Sequence, residues 1–224
     1  MTEKVEPDLD FVIDLRFAGI EAALFVVLRH LETVEIQLPQ VAESERERLQ
    51  NEELSGVNDD YEYHDIKRWI DDFVENVLPR LYRSPILVEL WAVFESGIVE
   101  IAEYLQKEQG HSISVHDLRS NNDFERAKKY YERVLHFPLL TIDDINERLH
   151  MLLLVRNAVA HCNGRIEVIK EDRLRQIRAW EKKYGEISAD GDYLSFTAAF
   201  LEKMAQAVKA SLKDLIGRVK EKTD

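Results

Sequence analysis

Between Ser84 and Gly110 the chain repeats apolar residues at helical spacing: Leu87, Leu90, Phe94, Ile98, Ile101 and Leu105. That spacing gathers all six on one side of an α-helix, whereas a strand would scatter them over both faces. A helix with such a side is not stable alone in water, so the rest of the chain must supply further apolar helices to cover it. Ser84-Pro85 reads as the start, a serine cap followed by proline in the first turn. Gly110 suits the stop, because glycine takes the left-handed conformation that ends many helices.

The same period recurs. Asp10 to Leu38 reads as a long helix with Phe11, Leu15, Ala18, Ala22, Phe25, Leu28 and Leu31 on its apolar side, ended by Pro39. Tyr61 to Leu78 places Ile66, Trp69, Ile70, Phe73 and Val77 together. Asn121 to Phe137 is expected to be helical, with Pro138 as its stop. Thr141, with Asp144 three residues on, resembles a capping box. The helix it opens carries Ile145, Leu149, Leu152 and Val159 inward and stops near Gly164. Glu171 to Tyr184 is helical and locally basic, and Thr197 to about Val219 forms the last helix. Ala-Asp-Gly-Asp at 189–192 is the turn signal of a small β-hairpin within 186–196. The expected fold is all-α: residues 1–224 as a single helical bundle, with an acidic loop or frayed arm at about 40–60.

Charge and cysteine narrow the setting. The one cysteine, Cys162, excludes an internal disulfide framework and fits a reducing, cytoplasmic location. The acidic, polar N-terminus is unlike a secretory signal. No apolar run approaches the roughly 18 residues of a membrane span, and Phe11 to Leu28 is broken by Asp14, Arg16 and Glu21. A net charge of −13 argues against a general nucleic-acid coat. Residues 1–60 hold 15 acidic and 5 basic side chains, so most of the imbalance lies there. The remainder is close to neutral and leaves room for a local basic patch that meets RNA.

Chemistry concentrates at Leu154-Val155-Arg156-Asn157-Ala158-Val159-Ala160-His161-Cys162-Asn163-Gly164. Helical spacing puts Arg156 on the stripe of Leu149, Leu152 and Val159, where a guanidinium needs a partner. Glu95, on the otherwise apolar stripe of Trp91, Ile98 and Ala102, is the expected one. Asn157 and His161 lie four apart, so Asn157 is placed to orient the imidazole. Plainer roles exist for each: an Arg156–Glu95 tie between helices, a helix-end His161 satisfying carbonyls, a bystander Cys162. The other histidines (His30, His64, His111, His116, His136, His150) show no zinc-site spacing, and neither metal nor cofactor is expected. Arg165, Lys170, Arg173, Arg175, Arg178, Lys182 and Lys183 follow directly. With Trp180 and Tyr184 they offer charge and stacking surface, although Glu167, Glu171, Asp172 and Glu181 are interleaved.

Arg156, Asn157 and His161 together resemble the Arg-x4-6-His motif of the HEPN superfamily. The trailing Cys162-Asn163-Gly164 is similar to the His-x-Asn-Gly ending of several bacterial members, and Trp91 to Glu95 resembles an aromatic-Glu segment of an earlier helix. The resemblance covers roughly residues 84–165. It implies a helical bundle that pairs as a homodimer, with the two Arg/His sets facing one cleft. It also implies a metal-independent endoribonuclease of a toxin, phage-defence or RNA-processing system, open to an antitoxin or other protein partner. In that reading His161 is the acid/base, Arg156 the phosphate clamp and Asn157 the orienter, with Glu95 and Asn163 in support. Toxins of this superfamily controlled by a nucleotidyltransferase antitoxin often carry tyrosine where Asn163 stands, so that route of control is not implied. The alternative is a non-catalytic helical module that binds nucleotides, or binds a protein through its acidic N-terminal region.

Overall fold

A computed structural model describes residues 9–120 and 122–223, with side chains from Ile13 to Lys222 apart from that of Asn121. Asn121, the expected first residue of one helix, and the Phe11 side chain lie outside the described residues. The elements are α1 (Leu9–Glu53), α2 (Asp60–Asp72), a π-helical turn (Phe73–Val77), α3 (Leu78–Glu108), α4 (Asp123–Arg133), α5 (Asp143–Cys162), α6 (Glu171–Tyr184), β1 (Ile187–Ser188), β2 (Ser195–Phe196) and α7 (Ala198–Thr223). The fold is all-α with one small antiparallel hairpin, pairing Ile187 with Phe196 and Ser188 with Ser195. No described helix is long and apolar enough to cross a membrane. Two compact units divide the chain. One comprises 1–26, 90–151 and 204–224, the other 27–89 and 152–203.

In the first unit α1 buries Ile13, Phe17, Ile20 and Leu24. The steps alternate four and three, the 3.5-residue repeat of helices packed side by side. The expected stripe through Leu15, Ala18, Ala22 and Phe25 instead faces out, with Leu15 67% and Phe25 62% exposed. The buried seam holds a large apolar residue at every position. The other contains two alanines and so removes less apolar area from water. Leu90, Trp91, Phe94, Ile98, Ile101 and Leu105 of α3 are buried. Trp91 and Phe94 both meet the Phe124 ring. From α4 the buried Tyr131 donates its hydroxyl to the Ile98 carbonyl at 2.8 Å. Asn122 caps α4 through Glu125 N–H. Thr141 makes no such cap for α5; its hydroxyl donates to Asp214 instead.

In the second unit neither proline break occurs. α1 runs through Pro39 to Glu53, so most of the expected acidic loop is helix. Leu49 holds it there, buried with Ile70 and Val74. Arg46 reaches Glu43, Asp71 and Glu75, and Arg48 reaches Glu45 and Glu52. The turn follows at 54–59, with Gly56 at φ 86° and Asp59 accepting from Tyr61 and Glu62 N–H. α2 then passes into α3 through the π-turn. Leu78 N–H bonds back to the Phe73 carbonyl, five residues away, and this widened turn immediately precedes Pro79, which has no N–H to give. Pro85 also lies inside α3. Ser84 is not a cap; its hydroxyl donates to the Arg80 carbonyl one turn back, as serines inside helices do.

Candidate functional site

The candidate site is the last two turns of α5 and the loop beyond, all in the second unit. α5 forms because Leu152, Leu154, Val155, Ala158 and Val159 are buried together. Arg156 is half-buried and donates from Nη1 to Asn157 Oδ1 at 3.0 Å; its Nε is buried without a partner. Glu95, its expected partner, belongs to the other unit. The Arg156 contact engages Asn157 Oδ1, and among the described residues no Asn157–His161 hydrogen bond is formed. His161 is exposed, one residue before the helix end. Cys162 beside it is a half-buried free thiol.

Beyond Cys162 the backbone turns sharply. Asn163 (φ 50°) and Gly164 (φ 72°) are both left-handed, a conformation that asparagine tolerates and glycine adopts freely. Gly164 N–H returns to the Ala158 carbonyl at 2.9 Å, closing the end of α5. Leu194 N–H then reaches the Gly164 carbonyl at 2.7 Å, and Ile166 N–H reaches Asp192. The β-hairpin predicted from its turn sequence therefore serves as the surface on which the motif's end is pinned.

Arg80 holds this turn from the other side, and sequence reasoning missed it. Its Nη1 donates to the Asn163 carbonyl at 2.7 Å, with Asn163 Oδ1 at 3.3 Å. The guanidinium lies over the Tyr193 ring, 4.5 Å from its centre. Arg80 is only 4% exposed, and burial lowers its pKa from the ordinary arginine value. A signal existed: position 80 precedes Leu87 by seven residues, two helical turns, so it lies on the same stripe. The helix start expected at Ser84 hid it. One turn on, Arg83 grips Glu35 with Nε and Nη2, at 2.7 and 2.9 Å, and donates from Nη1 to the Phe196 carbonyl.

Around the site, α6 leaves Arg173, Arg175, Arg178, Lys182 and Lys183 exposed. The stacking surface expected there is reduced: Trp180 is 3% exposed and belongs to the core, its ring centre 4.3 Å from that of Tyr184. Arg165 is exposed and hydrogen-bonded to Glu167. Among the described residues no group of three His, Cys, Asp or Glu side chains is placed to hold a metal. Chemically, the site combines an exposed imidazole, a half-buried arginine with no ion pair among the described residues, and a basic helix. Compared with family models, curated proteins and solved structures, the chain matches none of them.

Proposed function

We propose that this chain is a metal-independent endoribonuclease of the HEPN kind, working as a homodimer. The observation that carries the reading is the state of the motif. His161 is open to solvent at the end of α5, while Arg156, five residues earlier, donates to neutral Asn157 and forms no ion pair among the described residues. A guanidinium in that state suits a phosphodiester, whose negative charge grows as the pentacovalent phosphorus forms. An imidazole exchanges protons near neutral pH. His161 takes the 2′-hydroxyl proton, the 2′-oxygen bonds to phosphorus and the bond to the 5′-oxygen breaks. The second copy's imidazole protonates that oxygen. The products are a 2′,3′-cyclic phosphate and a 5′-hydroxyl. The exposed cations of α6 supply backbone attraction despite the acidic total. The test is incubation of wild type and His161→Ala with total RNA in EDTA: wild type is expected to cut and the variant not. Equal cutting by both would remove His161 from the reaction.

A second reading is a non-catalytic module that binds a basic protein partner through its acidic arm. It is favoured by Trp69 of α2, half-exposed beside Glu53 and Asp65, and by an acidic arm that is folded rather than frayed. In that case removing residues 40–60 abolishes capture of the partner, and His161→Ala changes nothing.

A further inference from the structure

Arg80 is short of one negative charge. Its guanidinium is buried, yet everything it touches is neutral: the Asn163 carbonyl and amide oxygens and the Tyr193 ring. Among the described residues it forms no ion pair, and its Nε has no hydrogen-bond partner. The contrast with Arg83, half-buried and engaged by Glu35, shows how this unit neutralises a cation when it does so internally.

Arg80 lines a cleft of about 170 Å³, together with Asn76, Arg83, Ser188, Ser195 and Thr197. Two carboxylates also line it, and both are tied to bases: Glu75 to Arg46 and Glu186 to Lys203. The walls thus present a cation without an ion-pair partner among the described residues and three hydroxyl groups. A phosphate group has charged oxygens for the first and can accept from the second. Its size suits the cleft, which is too small for a whole nucleotide.

We propose that this cleft is a binding site for the phosphate group of inorganic phosphate or a phosphate monoester, with Arg80 as its principal ligand. Because the same guanidinium holds Asn163, occupancy stiffens the end of α5. This holds whether or not the chain cuts RNA.

The test is calorimetric titration and thermal unfolding of the full chain with inorganic phosphate, with adenosine monophosphate and with sodium chloride at matched ionic strength. One phosphate group is expected to bind per chain and raise the melting temperature, and chloride is expected to do neither. Tighter binding of the nucleotide identifies a monoester as the ligand, and equal binding identifies phosphate alone. Arg80→Met is expected to weaken binding about tenfold or more, the loss of a charge-assisted contact. Thr197→Asp places a like charge on the rim while keeping a good helix cap in place of the threonine that now accepts from Phe200 N–H. It should therefore fold and bind at least as weakly as Arg80→Met. No binding of either phosphate at millimolar concentration overturns the proposal, as does undiminished binding by Thr197→Asp, even if Arg80→Met does not fold.

Discussion

Arg156 Nη1 donates to Asn157 Oδ1 at 3.0 Å, and by that contact Asn157 serves the arginine and not the histidine. Neighbouring side chains on a helix do not normally face each other, so the pairing requires Arg156 to fold back along the surface of α5. If Asn157 acts by holding Arg156, the two residues behave as one unit. In the ribonuclease reading, Asn157→Ala then lowers kcat/KM on RNA about tenfold in the wild-type background. It lowers it no further once Arg156 is alanine. Additive losses for Arg156 and Asn157 would show that the contact is incidental.

The turn beyond Cys162 should be sensitive to a single methyl group. Gly164 lies at φ 72°, and a β-carbon there would sit 3.5 Å from the Leu194 carbonyl oxygen and 3.6 Å from Arg80 Nη1. Gly185 is equally left-handed, at φ 67°, with nothing within 4 Å. Gly185→Ala therefore reports the backbone term alone, about 1–2 kcal/mol. Gly164→Ala should cost about the same, because those distances are ordinary van der Waals contacts and leave the Arg80 contact in place. Urea unfolding of the two variants gives the difference. A markedly larger loss at Gly164 would show that the turn cannot take the methyl group.

The acidic end of α1 is expected to behave as folded helix. Leu49 is buried against Ile70 and Val74, so Leu49→Ala should destabilise by about 2–3 kcal/mol, in the range of buried leucine truncations. Glu47→Gln, on the exposed side, should change stability by no more than ~0.5 kcal/mol. Amide exchange across 41–53 provides the readout. Protection lost in Leu49→Ala and kept in Glu47→Gln is the expected pattern, and no protection in wild type would restore the frayed arm.

Alkaline pH should unfold the first unit through Tyr131. Its phenol is fully buried and donates to the Ile98 carbonyl, and burial holds its pKa well above the ordinary 10.0. The neutral phenol is favoured in the folded state, so its contribution is complete below pH 10. It is lost as pH rises further, because the unfolded chain ionises first. Stability should fall above that pH with a slope of up to one proton. Tyr131→Phe should remove this slope at a cost of about 1 kcal/mol from the lost hydrogen bond. An unchanged slope in Tyr131→Phe would assign the transition to other groups, such as Tyr130 or Tyr104, whose values burial also raises.

Helical periodicity alone was enough to read the all-α class and the interior of α3, because one unbroken stripe admits no other solution. The Ala-Asp-Gly-Asp hairpin was equally legible from its turn residues. The prolines were not. Pro79 follows a π-turn, and Pro85 and Pro39 lie in helices whose burial outweighs a missing hydrogen bond, a tertiary effect that local rules do not carry. For α1 two apolar stripes were available, and only packing decides between Phe17 and Leu15. At the site, the helix-end position of Arg156, Asn157 and His161 was readable from spacing. Their contacts were not, since spacing fixes which residues share a face and not which rotamer each adopts. Arg80 contacts Asn163 across 83 positions of chain, a relation no local pattern contains.

The most direct test of the ribonuclease reading is the chemistry of the ends it would leave. A defined single-stranded RNA is incubated with wild type and with His161→Ala in EDTA, and the fragments are analysed by mass. Wild type is predicted to leave 2′,3′-cyclic phosphate and 5′-hydroxyl ends, and His161→Ala to leave the RNA intact. Fragments with 3′-hydroxyl and 5′-phosphate ends, equal cutting by the variant, or intact RNA after incubation with folded wild type would each contradict it.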